Sequence, residues 1–512
     1  MDTITLSSLA DLLAEKDLLA EARNLTPQSG AQAVCGADCD SRVVRAGHVF
    51  VCKGATFKPT YLASALELGA VAYLCDEAHA DELARVAPGV PALVARELRP
   101  AMALVSAAAW GHPNQALQVV GITGTKGKST VSYMLRAALD AGVPARRTAL
   151  IGSIDTFDGI EEEESHNTTP EAPDLWRHLA NARDTGLAYL DMEVSSQGLK
   201  YDRVLGLPLD VACFLNIGRD HISPVEHPDF EDYFQSKLKI FDQARVAVVN
   251  LDTDHLDEVM ARARSCERVV TFSASGASGA DVWATDVTPS LGTIRFCAHT
   301  PTWESEVELA MPGLFNVDNA LATLAICEVL GVELAPAAAA LGHASAPGRM
   351  ELLRTPGNRV FALVDYAHNK LSYQRFFASV DKEFPGYRVI VVMGAVGGKA
   401  VERRVDLPKE AAKWADHLIY TEEDPGPESV ADICQAMAAA TPEGTSFEII
   451  LDRPEAIHHA VSLAYEGEGP AVVCLLAKGD ETYQHVGNDY VPYRTDGAIF
   501  CEAVQEQERA RA

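Results

Sequence analysis

"GITGTKGKST", residues 121–130, decides how this chain is read. The apolar "ALQVV" runs into it as a strand, and "KSTVSYMLRAALDAG" leaves it with apolar residues at helical spacing. A strand, a glycine turn and a helix aim free backbone N–H groups and the positive helix end at phosphate oxygens. The common phosphate loop is G-x-x-x-x-G-K-[ST], whose lysine reaches the β/γ-phosphates and whose hydroxyl ligates Mg²⁺. Counted back from Lys128, its first glycine should fall on Ile122; Gly121 is one residue early and Gly124 stands inside the loop. The stretch therefore specifies a shortened loop, Gly124, Thr125, Lys126, Gly127, Lys128 and Ser129, followed by Thr130. A purely structural glycine turn would need neither the lysine nor the hydroxyl.

The length of 512 residues suggests about three domains at roughly 150 residues each. With 48% hydrophobic residues, the chain can bury several cores. Its net charge of −29 argues against a surface that neutralises nucleic-acid phosphates. The N-terminus lacks the basic start and continuous apolar run of a signal peptide, and the longest apolar stretches, such as "AMALVSAAAW", are about half a membrane span. The expectation is a soluble cytoplasmic protein, a monomer, with no nucleic-acid or membrane partner. Eleven cysteines are scattered; only Cys35 and Cys39 are close, and no second pair or histidine cluster completes a zinc set, so reduced thiols are expected.

Three regions separate: 1–112, 113–345 and 346–512. The first reads strand, helix, strand through "VVRAGHVFVCKG", "TYLASALELGA" and "VAYLCDE". In the second, buried strands are expected at 187–194, 211–218 and 245–250, alternating with helices. In the third, "VFALVDYA", "YRVIVVMGAVGG", "ADHLIYTEED" and "PAVVCLLAKG" each end in glycine- or acid-rich loops. The fold class is α/β: a small α/β domain, a central P-loop-type domain with a mostly parallel sheet, and a C-terminal Rossmann-like domain.

Strand-end residues carry the candidate chemistry. Glu193 in "DMEVSSQGL" is either a Mg²⁺ partner or a structural carboxylate. His221 in "LNIGRDHIS" could bind metal or phosphate, or be structural. Lys237 and Lys239 in "YFQSKLKIF" have the pattern of snorkelling lysines. Asn316 and Asn319, three apart at a helix start, could read a purine edge or cap the helix. Arg349 could clamp a phosphate, and Asp365 and His368 lie just past a strand. Glu422, Glu423, Asp424, Glu428 and Glu481 would form an acidic mouth suited to a cationic substrate, or simply solvated loops.

"GTKGKST", "NTTPE", "MEVSS", "NIGRDH", "YFQSKLKIF", "FNVDNALA", "PGRME", "VDYAH" and "KGDETYQ" occur in the order of the Mur ligase family, which this chain resembles over nearly its whole length. "DSRVVRAGHVFVCKG" at 40–54 extends the resemblance into that family's uridine-binding domain. It is closest to the subgroup that adds the third residue of the peptidoglycan stem. The resemblance implies an ATP- and Mg²⁺-dependent cytoplasmic ligase. ATP phosphorylates the D-glutamate carboxylate of UDP-MurNAc-L-Ala-D-Glu, and an amino acid's α-amine attacks the acyl phosphate. Gly124 to Thr130, Asn316, Asn319, Arg349, Asp365 and His368 match ATP positions. Lys128, Glu193, His221 and Lys237 match catalytic ones. Ser129, Glu193, His221 and Lys237 match metal positions, Lys237 as the family's carbamylated lysine (N6-carboxylysine). Ser41, Thr168, Thr169, Ser195 and Arg203 match positions that hold the UDP-sugar peptide.

Departures bear on specificity. Gln197 stands where the subgroup commonly has histidine, and "KGATFKPTYLA" lacks the usual Asp-Gly. Diaminopimelate-adding members resemble D-N-P-R where this chain has Glu423, Asp424, Pro425 and Gly426, so no arginine pairs with a distal carboxylate. With Glu481, the acidic pair favours L-lysine; meso-diaminopimelate and ornithine are the alternatives. A folate polyglutamylating ligase would share the loop but lack the "DSR" region. A catalytically inactive nucleotide-binding paralogue would not need Lys128, Glu193, His221 and Lys237 together.

Overall fold

The computed structural model describes residues 3–54, 56–223, 226–277 and 279–511. They form two compact units: the chain up to Phe272 together with Ala325–Val332, and Ser273–Leu324 together with the chain from Glu333 onward.

The first unit holds two sheets. The smaller runs in the order Leu19–Arg23, Ala92–Ala95, Ala72–Asp76, His48–Val51, Gly36–Asp38, parallel except for its first pair. The larger has six parallel strands: Arg268–Ser273, Ala244–Asn250, Leu209–Phe214, Gln118–Thr123, Tyr189–Glu193 and Thr148–Ile151. Two short antiparallel strands, Asp155–Phe157 and Glu162–Glu164, extend its edge. Helices cover the sheets because their apolar residues share one side; Leu6, Leu9, Ala10 and Leu13 of the helix Leu6–Glu15 are all buried, and Thr5 caps its start. One apolar cluster runs from Leu6 through Val105 and Trp176 to Phe241, so the expected break at 112 lies inside a shared core.

Register places the chemistry. Glu193 pairs with Ile122, Phe214 with Thr123 and Met192 with Ile151. The residues just past these strands, Gly124, Ser153, Val194 and Leu215, therefore meet at one carboxyl edge, where ligands of open α/β sheets bind.

The second unit contains an antiparallel ribbon, Val282–Ser290, Thr293–His299 and Glu304–Leu309. It also holds a six-stranded sheet in the order Glu351–Arg354, Val360–Asp365, Ala471–Leu476, Arg388–Met393, His417–Tyr420, Phe447–Ile449. Only the first of these strands is antiparallel. The pairings Asp365 to Leu476 and Met393 to Tyr420 align the loops that carry His368, Glu423 and Lys478. Beneath them, Arg453 and Asp496 form a fully buried ion pair, with Nη2 2.6 Å from Oδ2. Among the described residues, no helix is long and apolar enough to cross a membrane.

Candidate active site

The loop forms as its sequence requires. Gly124 has φ +157°, and a Cβ there would come within 2.9 Å of Leu215. Gly127 has φ +94° and opens the helix Lys128–Leu139. Asn216 brackets the loop, accepting from the Lys126 N–H and donating to its carbonyl, both at 2.9 Å. Thr125 Oγ1 accepts from the Gly218 N–H at 3.0 Å and lies 3.1 Å from the Tyr233 hydroxyl. Lys126 pairs with Asp220 at 3.2 Å, tying the "GRDH" segment to the loop.

Two lysines converge on one carbonyl. Lys128 Nζ donates to the Gly124 carbonyl at 3.1 Å, and Lys237 Nζ donates to the same oxygen at 3.0 Å. Lys237 is 2% exposed. Burial pushes its ammonium well below the usual lysine range, and the charges of Lys128 and Lys126 add to the fall against an opposing Asp220. A snorkelling lysine would keep its head in water; Lys239, two residues on, is exposed and fits that pattern.

A chain of hydroxyls and a carboxylate adjoins the helix start. Ser129 Oγ lies 2.9 Å from Ser153 Oγ, while Ser153 donates its N–H to Glu193 at 2.9 Å and its hydroxyl at 3.1 Å. Glu193 is buried. This set of hard oxygen donors suits Mg²⁺. Thr130 is buried in the first helical turn. His221 sits in left-handed backbone (φ 55°), half exposed, with Nδ1 3.0 Å from Glu226.

Thr169 and Ser195 interlock: the Ser195 N–H donates to Thr169 Oγ1 at 2.9 Å, and Thr169 donates to the Glu193 carbonyl at 2.9 Å. Arg203 donates to the Thr169 carbonyl at 2.8 Å and pairs with Glu171 at 3.1 Å. Glu171 also pairs with Lys53 at 3.0 Å. Nearby, a cavity of about 370 Å³ is lined by Lys53, Gly54, Glu97, Arg99 and Asp202. Thr168 is half-buried beside Thr169, and Ser41 lies in the turn closed by the Val43 N–H to the Asp40 carbonyl.

In the second unit, Asn316 and Asn319 are buried and bonded to one another at 2.7 Å, and Asn316 also donates to the Pro312 carbonyl. Their amides thus order the turn before the helix Asn316–Leu330. Arg349 pairs with Asp480 at 3.0 Å and lies over the Tyr366 ring. Asp365 accepts from the Met350 and Ala367 N–H groups, and His368 Nδ1 lies 2.7 Å from the Tyr366 carbonyl.

The acidic mouth differs from its sequence reading. The buried Lys478 lies 2.9 Å from Asp424 and 2.5 Å from Glu481, so the chain itself supplies an ammonium to two of the expected carboxylates. Glu428 turns to Arg404 at 2.8 Å and Glu422 accepts from the Arg453 N–H. Glu423 stays apart: it is 6% exposed, and its Oε2 has no hydrogen-bond partner. Burial pushes its carboxyl up to about 7, against the opposing charge of Arg453. Pro425 and Gly426 shape this loop, Gly426 donating to the His485 carbonyl at 2.9 Å.

Sequence reasoning missed Ser153, Asn216, Glu171 and Lys478. Ser153 and Asn216 carry the signal of the others, a polar side chain just past a parallel strand; Asn216 opens the "NIGRDH" motif, whereas no motif marks Ser153. Lys478 precedes "GDE" and is read as an acidic loop's neighbour unless the strand ending at Leu476 is placed first.

A parallel sheet whose carboxyl edge carries a G-T-x-G-K-S loop, a buried lysine and a hydroxyl–carboxylate chain defines a P-loop-type nucleotide-using enzyme. The chain belongs to the Mur ligase family, and so to the acid–amino-acid ligases that use ATP: residues 122–327 match the Mur ligase middle domain and 348–479 the Mur ligase glutamate ligase domain. It is 36% identical to a UDP-N-acetylmuramyl-tripeptide synthetase of Lactobacillus delbrueckii subsp. bulgaricus, covering 99% of this chain and 100% of that one. It is 34% identical to the UDP-N-acetylmuramoyl-L-alanyl-D-glutamate–L-lysine ligase of Enterococcus faecalis, covering 97% and 98%. A solved UDP-N-acetylmuramoyl-L-alanyl-D-glutamate–2,6-diaminopimelate ligase superposes with a TM-score of 0.68 at 24% identity, over 99% of this chain and 100% of that one, and supports the fold.

Proposed function

We propose that this ligase adds L-lysine to the D-glutamate of UDP-MurNAc-L-Ala-D-Glu in the synthesis of peptidoglycan precursors. The observation that carries it is the convergence of Lys128 and the buried Lys237 on the Gly124 carbonyl, with Ser129, Ser153 and Glu193 linked at the same strand edge. The working division is a UDP-binding domain (1–112), an ATP-binding domain (113–345) and an amino-acid-binding domain (346–512).

The D-glutamate carboxylate attacks the γ-phosphorus and ADP leaves. The α-amine then attacks the acyl carbon, phosphate leaves and the amine gives up a proton. The work of the chain is positioning and charge neutralisation. The loop N–H groups and Lys128 hold the phosphates. Ser129, Glu193, His221 and Lys237 would hold Mg²⁺, which when bound neutralises developing phosphate charge. Lys237 suits this role as a carbamate: its depressed basicity supplies the uncharged amine that adds to CO₂ with loss of a proton. Thr168, Thr169, Ser195, Arg203 and Ser41 would hold the UDP-sugar peptide, with the nearby cavity, lined by the cations Lys53 and Arg99 and the carboxylates Glu97 and Asp202, in support. Asn316, Asn319, Arg349, Asp365 and His368 are assigned to ATP.

The choice of lysine draws on three supports: the relative from Enterococcus faecalis, the absence of arginine at Gly426, and Glu423 as a carboxylate left without a partner. With Asp424 and Glu481 occupied by Lys478, Glu423 is the group assigned to the incoming ε-ammonium. The test is ADP release with UDP-MurNAc-L-Ala-D-Glu and L-lysine, meso-diaminopimelate or ornithine in turn. Turnover with lysine alone is expected; turnover with diaminopimelate and not lysine would overturn the specificity, and none with any amine would overturn the reaction.

A further inference from the structure

The antiparallel ribbon of the second unit carries a cluster with no part in the ligase chemistry. Cys297 and His299 alternate on one strand and so share a face. His299 stands opposite Glu304 on the next strand and opposite Trp283 on the previous one; Cys297 stands opposite Glu306 and Thr285. One ligand atom each from Cys297, His299 and Glu304 lies within 4.8 Å of the other two.

The contacts of the imidazole set its orientation. Thr285 Oγ1 lies 2.9 Å from His299 Nε2 and 3.2 Å from Asp286 Oδ2, so Nε2 is engaged on the side away from Glu304. His299 Nδ1 lies 3.1 Å from Glu304 Oε2. Trp283 stacks on the ring at 5.0 Å and 8°, holding it in this orientation. One ring nitrogen against a hydroxyl oxygen, with a thiol and a carboxylate gathered on the same histidine, is the arrangement a metal-bound imidazole requires.

We propose that Cys297, His299 and Glu304 form a zinc site, with water in the fourth position, that staples the two strands beside the Thr300–Trp303 turn. Thiol, imidazole and carboxylate is a Zn²⁺ donor set, too soft for Mg²⁺. A dication held there favours the thiolate; the thiol proton is released as the Zn–S bond forms. The tally of cysteine pairs in the sequence passes over this site because its ligands are gathered by strand register rather than by local spacing.

The test is Co²⁺ and Zn²⁺ titration of the full chain in excess Mg²⁺, read by the thiolate-to-cobalt charge-transfer absorption and by its displacement with Zn²⁺. One ion per chain is expected. Cys297→Ser should abolish the band while the other cysteines remain, and Thr285→Val should weaken binding about 10-fold or more by freeing the ring. Circular dichroism confirms that each variant is folded. A band that survives in Cys297→Ser, or a wild-type chain that takes up no stoichiometric ion, overturns the site and leaves a His299–Glu304 ion pair alone.

Discussion

Replacing Glu423 with glutamine should shift stability in favour of the variant as pH rises, and should make a worse enzyme. The Glu423 carboxyl is nine-tenths buried and titrates near 7 rather than at 4.5. Between those values the folded chain holds a proton that the unfolded chain has lost. Stability therefore falls as pH rises through that window and levels off above about 7. At about 1.4 kcal/mol per pH unit, the ionised carboxylate costs about 3 kcal/mol at about pH 8 and about 1 kcal/mol at about pH 5. Glutamine mimics the protonated acid. Its second N–H adds a penalty of about 1–3 kcal/mol, but that penalty is the same at both pH values and cancels in the difference. Urea melts of wild type and Glu423→Gln should then show the advantage of the variant growing by about 2 kcal/mol from about pH 5 to about pH 8. The same variant should raise the KM for L-lysine about 10- to 100-fold, the worth of a charge-assisted hydrogen bond, with kcat less affected. In the wild type, lysine affinity should weaken as pH drops below about 7. A stability difference that is flat with pH would refute the buried, unpaired carboxylate; an unchanged KM would refute its contact with the substrate.

Lys237→Ala should largely abolish ADP release, with partial recovery on adding short-chain carboxylates; full activity without them would remove the carbamate. Ser153→Ala, which breaks the link from Ser129 to Glu193, should lower kcat/KM about 10-fold and raise the Mg²⁺ concentration for half-activity, with the melting temperature nearly unchanged. Arg453→Met strands Asp496 in the core and should cost about 3–5 kcal/mol in urea melts; a loss under about 1 kcal/mol would mean that the pair relaxes to solvent.

The strand-turn-helix around Lys128 was legible because every local cue agrees: an apolar run, two glycines, a hydroxyl, then helical periodicity. The strands at Tyr189–Glu193, Leu209–Phe214 and Val360–Asp365 were legible for the same reason, since strands buried on both faces read as continuous apolar runs. The ribbon Val282–Leu309 was not. One of its faces is wet, so "TDVTPS" and "ESEVEL" read as polar loop, and Pro289 argues against a strand. At the site, residue types were legible but their partners were not. Composition marks "EEDPGP" and "KGDE" as acidic; only the pairing of Arg388–Met393 with both Ala471–Leu476 and His417–Tyr420 brings Lys478 to Asp424 from 54 residues away. Likewise the local pattern of Lys237 is that of a surface lysine, and only the resemblance singles it out; what the pattern cannot show is the closure of its amine onto Gly124 across a sequence separation of 113.

The shared Gly124 carbonyl has a bearing on how the loop can be dissected by mutation. Lys128 is one of the charges that keep Lys237 from holding a proton. Neutralising Lys128 therefore makes Lys237 more basic and a poorer nucleophile for CO₂, so a Lys128→Ala variant loses a phosphate contact and part of the modification together. Effects of the two single substitutions will not add, and the double variant will be less impaired than their product. The two lysines are thermodynamically one component of the loop, and the worth of either can be assigned only from the full cycle.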